Sequence, residues 1–93
     1  MKEIIKKHYS KEIQWLIEKS VPYREHEDDE MIEKSYRFKG SLPHIMRSRI
    51  RKELSGRTAI TTVNLEDETV SANFTFNPYT GYLVAFFSRA IAK

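Results

Sequence analysis

The stretch TVSANFTFNPYTGYLVAFFS, residues 69–88, decides the fold of this chain. Its first half alternates apolar and polar side chains, the pattern of a strand with one buried and one solvated face. Residues 77–81, NPYTG, follow with a proline that fixes φ and a glycine that tolerates positive φ, which is typical of a turn. The stretch therefore predicts two antiparallel strands, from Thr69 to Phe76 and from Tyr82 to about Ile91.

The second of these strands is apolar on both faces, because residues 82, 84 and 86 and residues 83, 85 and 87 are all apolar. A further strand from Arg57 to Leu65 completes a predicted three-stranded antiparallel meander, in which the last strand is an edge. An uncharged, apolar edge is a template for pairing with another chain. We therefore predict a cover from the first helix or a partner subunit, and a two-fold homodimer through this strand.

Two helices are predicted ahead of the meander. Apolar residues recur at helical spacing from Lys2 to Ser20, where Pro22 stops the helix. The second helix runs from an N-cap at Ser41 to a stop at Gly56. Its predicted core-facing positions recur every four residues and have one apolar neighbour: Leu42, Met46, Ile50 and Leu54, with Ile45 alongside.

The segment between the helices is predicted to be the least regular. Residues 22–30 are acidic, Asp28 or Asp29 is expected to cap a helical turn at residues 31–32, and residues 36–38 suit a short edge strand. We expect both helices to pack on one face of the sheet, with Trp15 against Phe74 or Phe86. The predicted fold class is α+β, and residues 1–93 are expected to form a single domain.

Composition limits the possible chemistry and location. Apolar residues make up 40% and charged residues 31% of the 93, as in an ordinary globular domain. The absence of cysteine excludes disulfides, thiolate metal ligands and cysteine nucleophiles, and it suits a reducing cytoplasm. No apolar run approaches the roughly 20 residues that span a bilayer, and the N-terminus does not resemble a secretory signal. We therefore expect a cytoplasmic protein without a membrane partner.

Metal, cofactor and nucleophile sites have little support in the sequence. His8, His26 and His44 lie far apart without metal-ligand spacing. The glycines mark element boundaries rather than phosphate-binding loops. We expect no metal, no cofactor and no catalytic residue.

The second predicted helix is the best candidate for a binding surface. The chain has a net charge of +3, and the segment from residue 44 to residue 57 contains five arginines and lysines against one acid, Glu53. Arginine predominates there, and its guanidinium binds phosphate in a bidentate manner. The candidate nucleic-acid-binding residues are His44, Arg47, Arg49, Arg51, Lys52 and Arg57. We interpret the protein as a small, non-catalytic module that contacts RNA or DNA backbone, or another polyanion.

An ordinary amphipathic helix can also carry a basic face without any binding role. One alternative function is a protein-targeting inhibitor or adaptor of the phage or mobile-element accessory type. It would use the aromatic residues in or beside loops as anchors for a protein partner. These aromatics are Tyr23, Tyr36, Phe38, Tyr79 and Tyr82.

A third alternative is a metal-independent endoribonuclease. Helices followed by an antiparallel sheet are also the layout of barnase-like and RelE-like toxins, a similarity of layout alone. Such chemistry needs a general acid, a general base and a cation beside the phosphate. The candidates for those roles are His44 with Glu53, Arg47, Arg51 or Arg57.

Overall fold

A computed structural model of the chain describes residues 1–55, 60–65 and 68–91. Within these residues the chain forms three helices and five strands. They are α1 (Lys2–Lys6), α2 (Lys11–Lys19), β1 (Val21–Glu27), β2 (Met31–Phe38), α3 (His44–Ser55), β3 (Ile60–Leu65), β4 (Glu68–Phe76) and β5 (Leu83–Ala90). The strands form one antiparallel sheet in the order β1-β2-β5-β4-β3. The α+β class is confirmed, but the predicted two helices and three strands undercount the described elements.

The predicted edge position of the last strand is wrong. β2 pairs with β5 over its whole length, from Met31 opposite Ala90 to Phe38 opposite Leu83. β4 pairs along the other side of β5. The strand that is apolar on both faces therefore lies in the interior of the sheet, where its backbone hydrogen bonds are satisfied on both sides. The edge strands among the described residues are β1 and β3.

Residues 21–38 form a β-hairpin, whereas the sequence predicts irregular chain, a helical turn at residues 31–32 and a strand only at residues 36–38. That short strand is confirmed as the end of β2, but it lies inside the sheet rather than at its edge. Asp28 does act as a cap, but it closes the hairpin turn: its Oδ1 accepts from the backbone N–H groups of Glu30 and Met31, both at 2.8 Å. The Asp28 N–H donates to the Met31 carbonyl at 3.0 Å. All of β1 is exposed, so it has no buried face from which alternation could be recognised.

The first predicted helix is broken in two. α2 begins after Ser10, whose Oγ accepts from the Ile13 N–H at 3.4 Å. Glu53 of α3 accepts the Ser10 N–H at 3.0 Å through its Oε2. These bonds give partners to backbone groups that a continuous helix from Lys2 to Ser20 would have paired internally. The predicted end before Pro22 is confirmed by the C-cap at Ser20.

The described helices pack on one face of the sheet, as predicted. The buried hydrophobic residues of this core are Ile5, Tyr9, Ile13, Leu16, Ile17, Phe38, Leu42, Ile50, Val70, Ala72, Leu83, Ala85 and Phe87. Val70 and Ala72 come from the predicted buried face of β4, so the assignment of faces in that strand is confirmed. For β5, whose two faces are both apolar, the structure places Leu83, Ala85 and Phe87 in the core.

Three details of the helices differ from the prediction. Trp15 contacts Phe38, with ring centroids 5.7 Å apart, and remains 42% exposed, while Phe74 packs against Tyr9 instead. Ile45 is 65% exposed rather than part of the core. α3 begins at His44 rather than just after Ser41. The predicted stop at Gly56 lies outside the described residues.

The described helices are too short and too polar for any of them to cross a bilayer.

Phe87→Ala is expected to lower the free energy of unfolding by about 3–5 kcal/mol, because the change empties an aromatic site in the core. Phe87 is fully buried and lies beside Tyr36 and Phe74, at centroid distances of 5.7 and 6.1 Å. Urea unfolding measures the loss. Asn73→Ala, on the exposed face of β4, is the control and should change stability by less than about 0.5 kcal/mol. Equal losses would contradict the assignment of faces.

The turn at Asp28 is expected to make hairpin stability depend on pH. The backbone N–H groups of Glu30 and Met31 hold the pKa of the Asp28 carboxyl below its usual value. A carboxyl whose pKa is lowered by folding contributes stability above the unfolded pKa, and this contribution disappears as pH falls through the folded pKa. The urea midpoint of the native protein should therefore exceed that of Asp28→Asn near pH 6, and the difference should shrink as pH falls below about 4. Asp29→Asn, with the same change in charge, should show a smaller difference.

Candidate nucleic-acid interface

α3 places its cationic side chains on separate flanks. With about 100° of rotation per residue, positions 44, 47, 48 and 51 share one side of the helix. His44, Arg47, Ser48 and Arg51 line a cleft of about 220 Å³ whose opposite wall is Pro78 and Tyr79. This cleft, between α3 and the β4–β5 turn, is named the α3 cleft below. Three of the six predicted site residues therefore meet there.

Arg47 joins α3 to the turn. Its Nη1 donates to the carbonyl oxygen of Tyr79 at 2.6 Å and to that of Pro78 at 3.2 Å. The Nε is buried and has no acceptor among the described residues. Arg47, predicted to contact phosphate, therefore positions the β4–β5 turn against α3, since its guanidinium already binds two carbonyls of that turn.

The turn itself is rigidly built, as the NPYTG sequence predicts. Asn77 Oδ1 accepts from the N–H groups of Tyr79 at 2.9 Å and Thr80 at 3.3 Å. Gly81 has φ of 82°, a conformation that a residue with a Cβ rarely adopts. Its N–H donates to the Asn77 carbonyl at 2.8 Å. The turn thereby holds the Tyr79 side chain in solvent, with 85% of its surface exposed.

Tyr79 is absent from the nucleic-acid-binding residues predicted from the sequence. Its position in a loop instead places it among the aromatics predicted to anchor a protein partner. An exposed tyrosine on a fixed turn beside arginines provides a stacking surface next to cations. Its position between Pro78 and Gly81 in a predicted turn indicates from the sequence that the side chain is exposed. Its proximity to α3 depends on the tertiary fold and cannot be read from the sequence.

The remaining candidate residues differ in their exposure and in whether their side chains are already paired. His44, Arg51 and Lys52 are exposed. Arg49 lies on the flank facing α2, where its Nη1 is 3.4 Å from Glu12 Oε1, although 67% of the side chain is exposed. An exposed pair of this kind stabilises little and can exchange partners. Arg57 lies outside the described residues.

His44 and Glu53 do not form an acid–base pair. They are nine residues apart on α3, so they are separated by about 13 Å along the axis and lie on opposite sides. Glu53 also holds the Ser10 N–H at the start of α2. Glu53 therefore does not share a substrate atom with His44, whereas His44, Arg47 and Arg51 line the same α3 cleft.

The three histidines lie on separate elements. Within residues 1–55, 60–65 and 68–91, no group of three or more histidine, aspartate or glutamate side chains is placed to hold a metal ion.

The acidic residues are kept away from the α3 cleft. Five exposed carboxylates lie in the hairpin near its turn: Glu25, Glu27, Asp28, Asp29 and Glu30. That turn adjoins the C-terminal end of β5, where Met31 pairs with Ala90, whereas the turn at 77–81 precedes the N-terminal end of β5. β5, eight residues and about 27 Å long, separates the two turns. This separation is about three Debye lengths at physiological salt, so these five carboxylates do little to neutralise the α3 cleft.

Arg47→Ala is expected to destabilise the protein by about 1–3 kcal/mol, because two carbonyls of the turn lose a charged donor. Arg51→Ala is the matched control from the same helix flank and should cost less than about 0.5 kcal/mol. Urea unfolding provides both values. A loss for Arg47→Ala no larger than that for Arg51→Ala would contradict the positioning role.

The chain matches no protein-family model, no curated protein and no solved structure. No activity, ligand or partner is therefore transferred from a relative. The candidate functional surface is defined by the geometry of α3 and of the turn that follows β4.

Proposed function

We propose that the protein is a non-catalytic module that binds the backbone of single-stranded nucleic acid through the α3 cleft. The observation that carries the proposal is the position of Tyr79, 85% exposed on a fixed turn, in the same cleft as His44 and Arg51. A guanidinium binds phosphate, and an exposed aromatic ring stacks on a base. The two groups together match the repeating unit of a nucleic-acid strand.

An unpaired strand fits this surface better than a duplex. Tyr79 projects from a turn and offers its ring, whereas the bases of a duplex are stacked on one another and do not accept such a ring without opening. The cations beside it, Arg51 and Lys52 with Arg49 on the other flank, follow the exposed side of α3. They provide sequence-independent contacts to about three phosphates.

A homodimer and a cytoplasmic location belong to the same proposal. A dimer carries two α3 clefts, and two linked sites raise the affinity for one long polyanion by avidity. The absence of cysteine in the sequence suits the cytoplasm.

A protein partner is the second candidate function, and a different surface favours it. Trp15, Leu42, Pro43 and Met46 line a groove of about 610 Å³ between α2 and the start of α3. Ile45, in the first turn of α3, is 65% exposed. A half-exposed tryptophan in an apolar groove resembles the anchor sites of protein interfaces. This surface supports the adaptor alternative without involving the α3 cleft.

The binding test is a titration of fluorescent single-stranded RNA and DNA at several salt concentrations. With three or four phosphate contacts, the log–log salt slope should lie between about −2 and −3.5. Arg51→Glu should weaken binding at least about tenfold and reduce the slope. Tyr79→Ala should weaken binding by about 5- to 150-fold through lost stacking, with little change in slope.

Lys19→Glu is the matched control, because it makes the same change in net charge at the end of α2. An equal loss in Lys19→Glu and Arg51→Glu would mean that only net charge matters, and absence of binding at about 50 mM salt would contradict the proposal. RNA cleavage in EDTA that disappears in His44→Ala would favour the ribonuclease alternative. Capture of one protein that resists nuclease treatment and is lost in Trp15→Ala would favour the adaptor.

A further inference from the structure

The face of the sheet opposite the helices has an apolar centre. Phe86 is 39% exposed and Val84 is half-buried, although both lie on an interior strand. Phe86 pairs across β5 with Ser35 on one side and Asn73 on the other. Tyr23, at the bulge in β1, adds a ring that is 41% exposed. The described helices cover the other face, so the second apolar face of β5 remains without a cover from them.

Charges of opposite sign flank this centre symmetrically. Arg37, Ser35 and Glu33 alternate on the same face of β2, so each charged residue lies about 7 Å from Ser35 along the strand. They pair with Val84, Phe86 and Ser88 of β5 respectively. The face therefore runs from positive to negative along the strands, with the row of Ser35 and Phe86 at its midpoint.

This arrangement complements itself under one particular symmetry. Consider a two-fold axis that lies between two such faces, perpendicular to the strands and over the row of Ser35 and Phe86. The axis reverses the strand direction of the second copy. It brings Arg37 of each chain opposite Glu33 of the other and places the two Phe86 rings together at the centre. A two-fold axis parallel to the strands would not pair these charges: over β2 it brings like charges together, and over β5 it places Arg37 opposite Thr75.

We propose that the open face of the sheet is an isologous dimer interface occupied by a second copy of this chain, with Phe86 at its centre and two Arg37–Glu33 pairs beside it. The interface differs from the predicted edge-to-edge pairing. It is the interface of the proposed homodimer, and it does not depend on nucleic-acid binding.

The balance of charge favours a second copy over a polyanion on this face. The groove that contains Val84 and Phe86 is also lined by Arg24, Glu25 and Glu33. Together with Arg37 beside it, the four charged residues sum to zero. A polyanion gains little from such a surface, whereas a rotated copy brings Arg37 and Glu33 of the two chains opposite each other. Arg24 pairs with Ser35, so it lies in the axial row and meets its own copy at the β1 side of the face.

The size of the face also suits a dimer. Four strands spaced about 4.8 Å apart and about 27 Å long give a flat footprint of about 500 Å². The accessible surface of protruding side chains exceeds the footprint, so burial approaches the roughly 800 Å² per partner of a standard interface.

Edge pairing through β1 is opposed by its sequence and shape. Pro22 removes a donor, and the bulge between Pro22 and Arg24 bends the strand. The same bulge places Tyr23 against Arg37, whose guanidinium carbon lies 4.8 Å from the ring centroid. This contact restricts Arg37 on the open face.

The dimer would leave the proposed ligand surfaces free. Sheets packed face to face place the helices of both copies on the outside, so neither α3 cleft is covered. Because the strands of the two copies run in opposite directions, the two clefts lie at opposite ends of the dimer.

Light scattering after size-exclusion chromatography at about 50 μM tests the interface. The native chain should give twice the 11.0 kDa mass of one chain. Arg37→Glu and Glu33→Arg should each raise the dimer dissociation constant at least tenfold, because each places two like-charge pairs in the interface. The double variant Arg37→Glu/Glu33→Arg should restore the dimer, since the symmetry exchanges the partners.

A mixture of the two single variants should form heterodimers for the same reason. Phe86→Asp should give a monomer with an unchanged circular dichroism spectrum, and Lys19→Glu should remain dimeric. A native chain that is monomeric at every concentration, dimerisation that survives both single reversals, or a double variant that stays monomeric would each overturn the proposal. Nucleic-acid binding by a monomeric Arg37→Glu variant would show that the α3 cleft functions independently.

Discussion

The pairing of β2 with β5 is the constraint on which the rest of the structure depends. Eight residue pairs, from Met31 opposite Ala90 to Phe38 opposite Leu83, turn an apolar strand that would be a sheet edge into an interior strand. The pairing also fixes the acidic hairpin turn at the end of β5 away from the turn that contacts α3. Without it, the most hydrophobic strand of the chain would expose its backbone, and the acidic and basic regions would have no defined separation.

The sequence predicts the elements that have one buried face, because burial produces a regular pattern of apolar residues. It fails where an element is fixed by a distant segment, or where the element is exposed on all sides. β4 follows from alternation, the turn from the NPYTG motif, and β5 from its continuous apolar run. β1 is exposed throughout, so its polar side chains carry no signal of a strand. The break between α1 and α2 depends on Glu53, a residue 43 positions away from the Ser10 N–H that it binds. Such long-range contacts override local helix propensity.

The candidate site shows the same limit at the level of single residues. Arg47, Arg49 and Arg51 are the same residue type at alternate positions of one helix, and the sequence groups them. Their roles diverge only because Arg47 meets the carbonyls of the turn and Arg49 meets Glu12, while Arg51 remains exposed. Spacing on a helix predicts which residues share a flank. It does not reveal what the neighbouring element offers to that flank.

The α3 cleft lies in the helical layer, and the proposed dimer interface lies on the opposite face of the sheet. The distribution of charge along the chain bears on both surfaces. The charge of a single chain is unevenly distributed, with the basic α3 near one end of the sheet and five carboxylates at the other. Such a distribution attracts a polyanion to the first end and repels it from the second. The proposed antiparallel dimer would place the acidic turn of each chain above the basic end of its partner, on the far side of two sheets. It would lower the overall dipole and leave an accessible α3 cleft at each end. A long nucleic-acid strand would then be held at two points, and its middle segment would pass the outer helical layer, where Lys52 and the exposed part of Arg49 would provide further contacts.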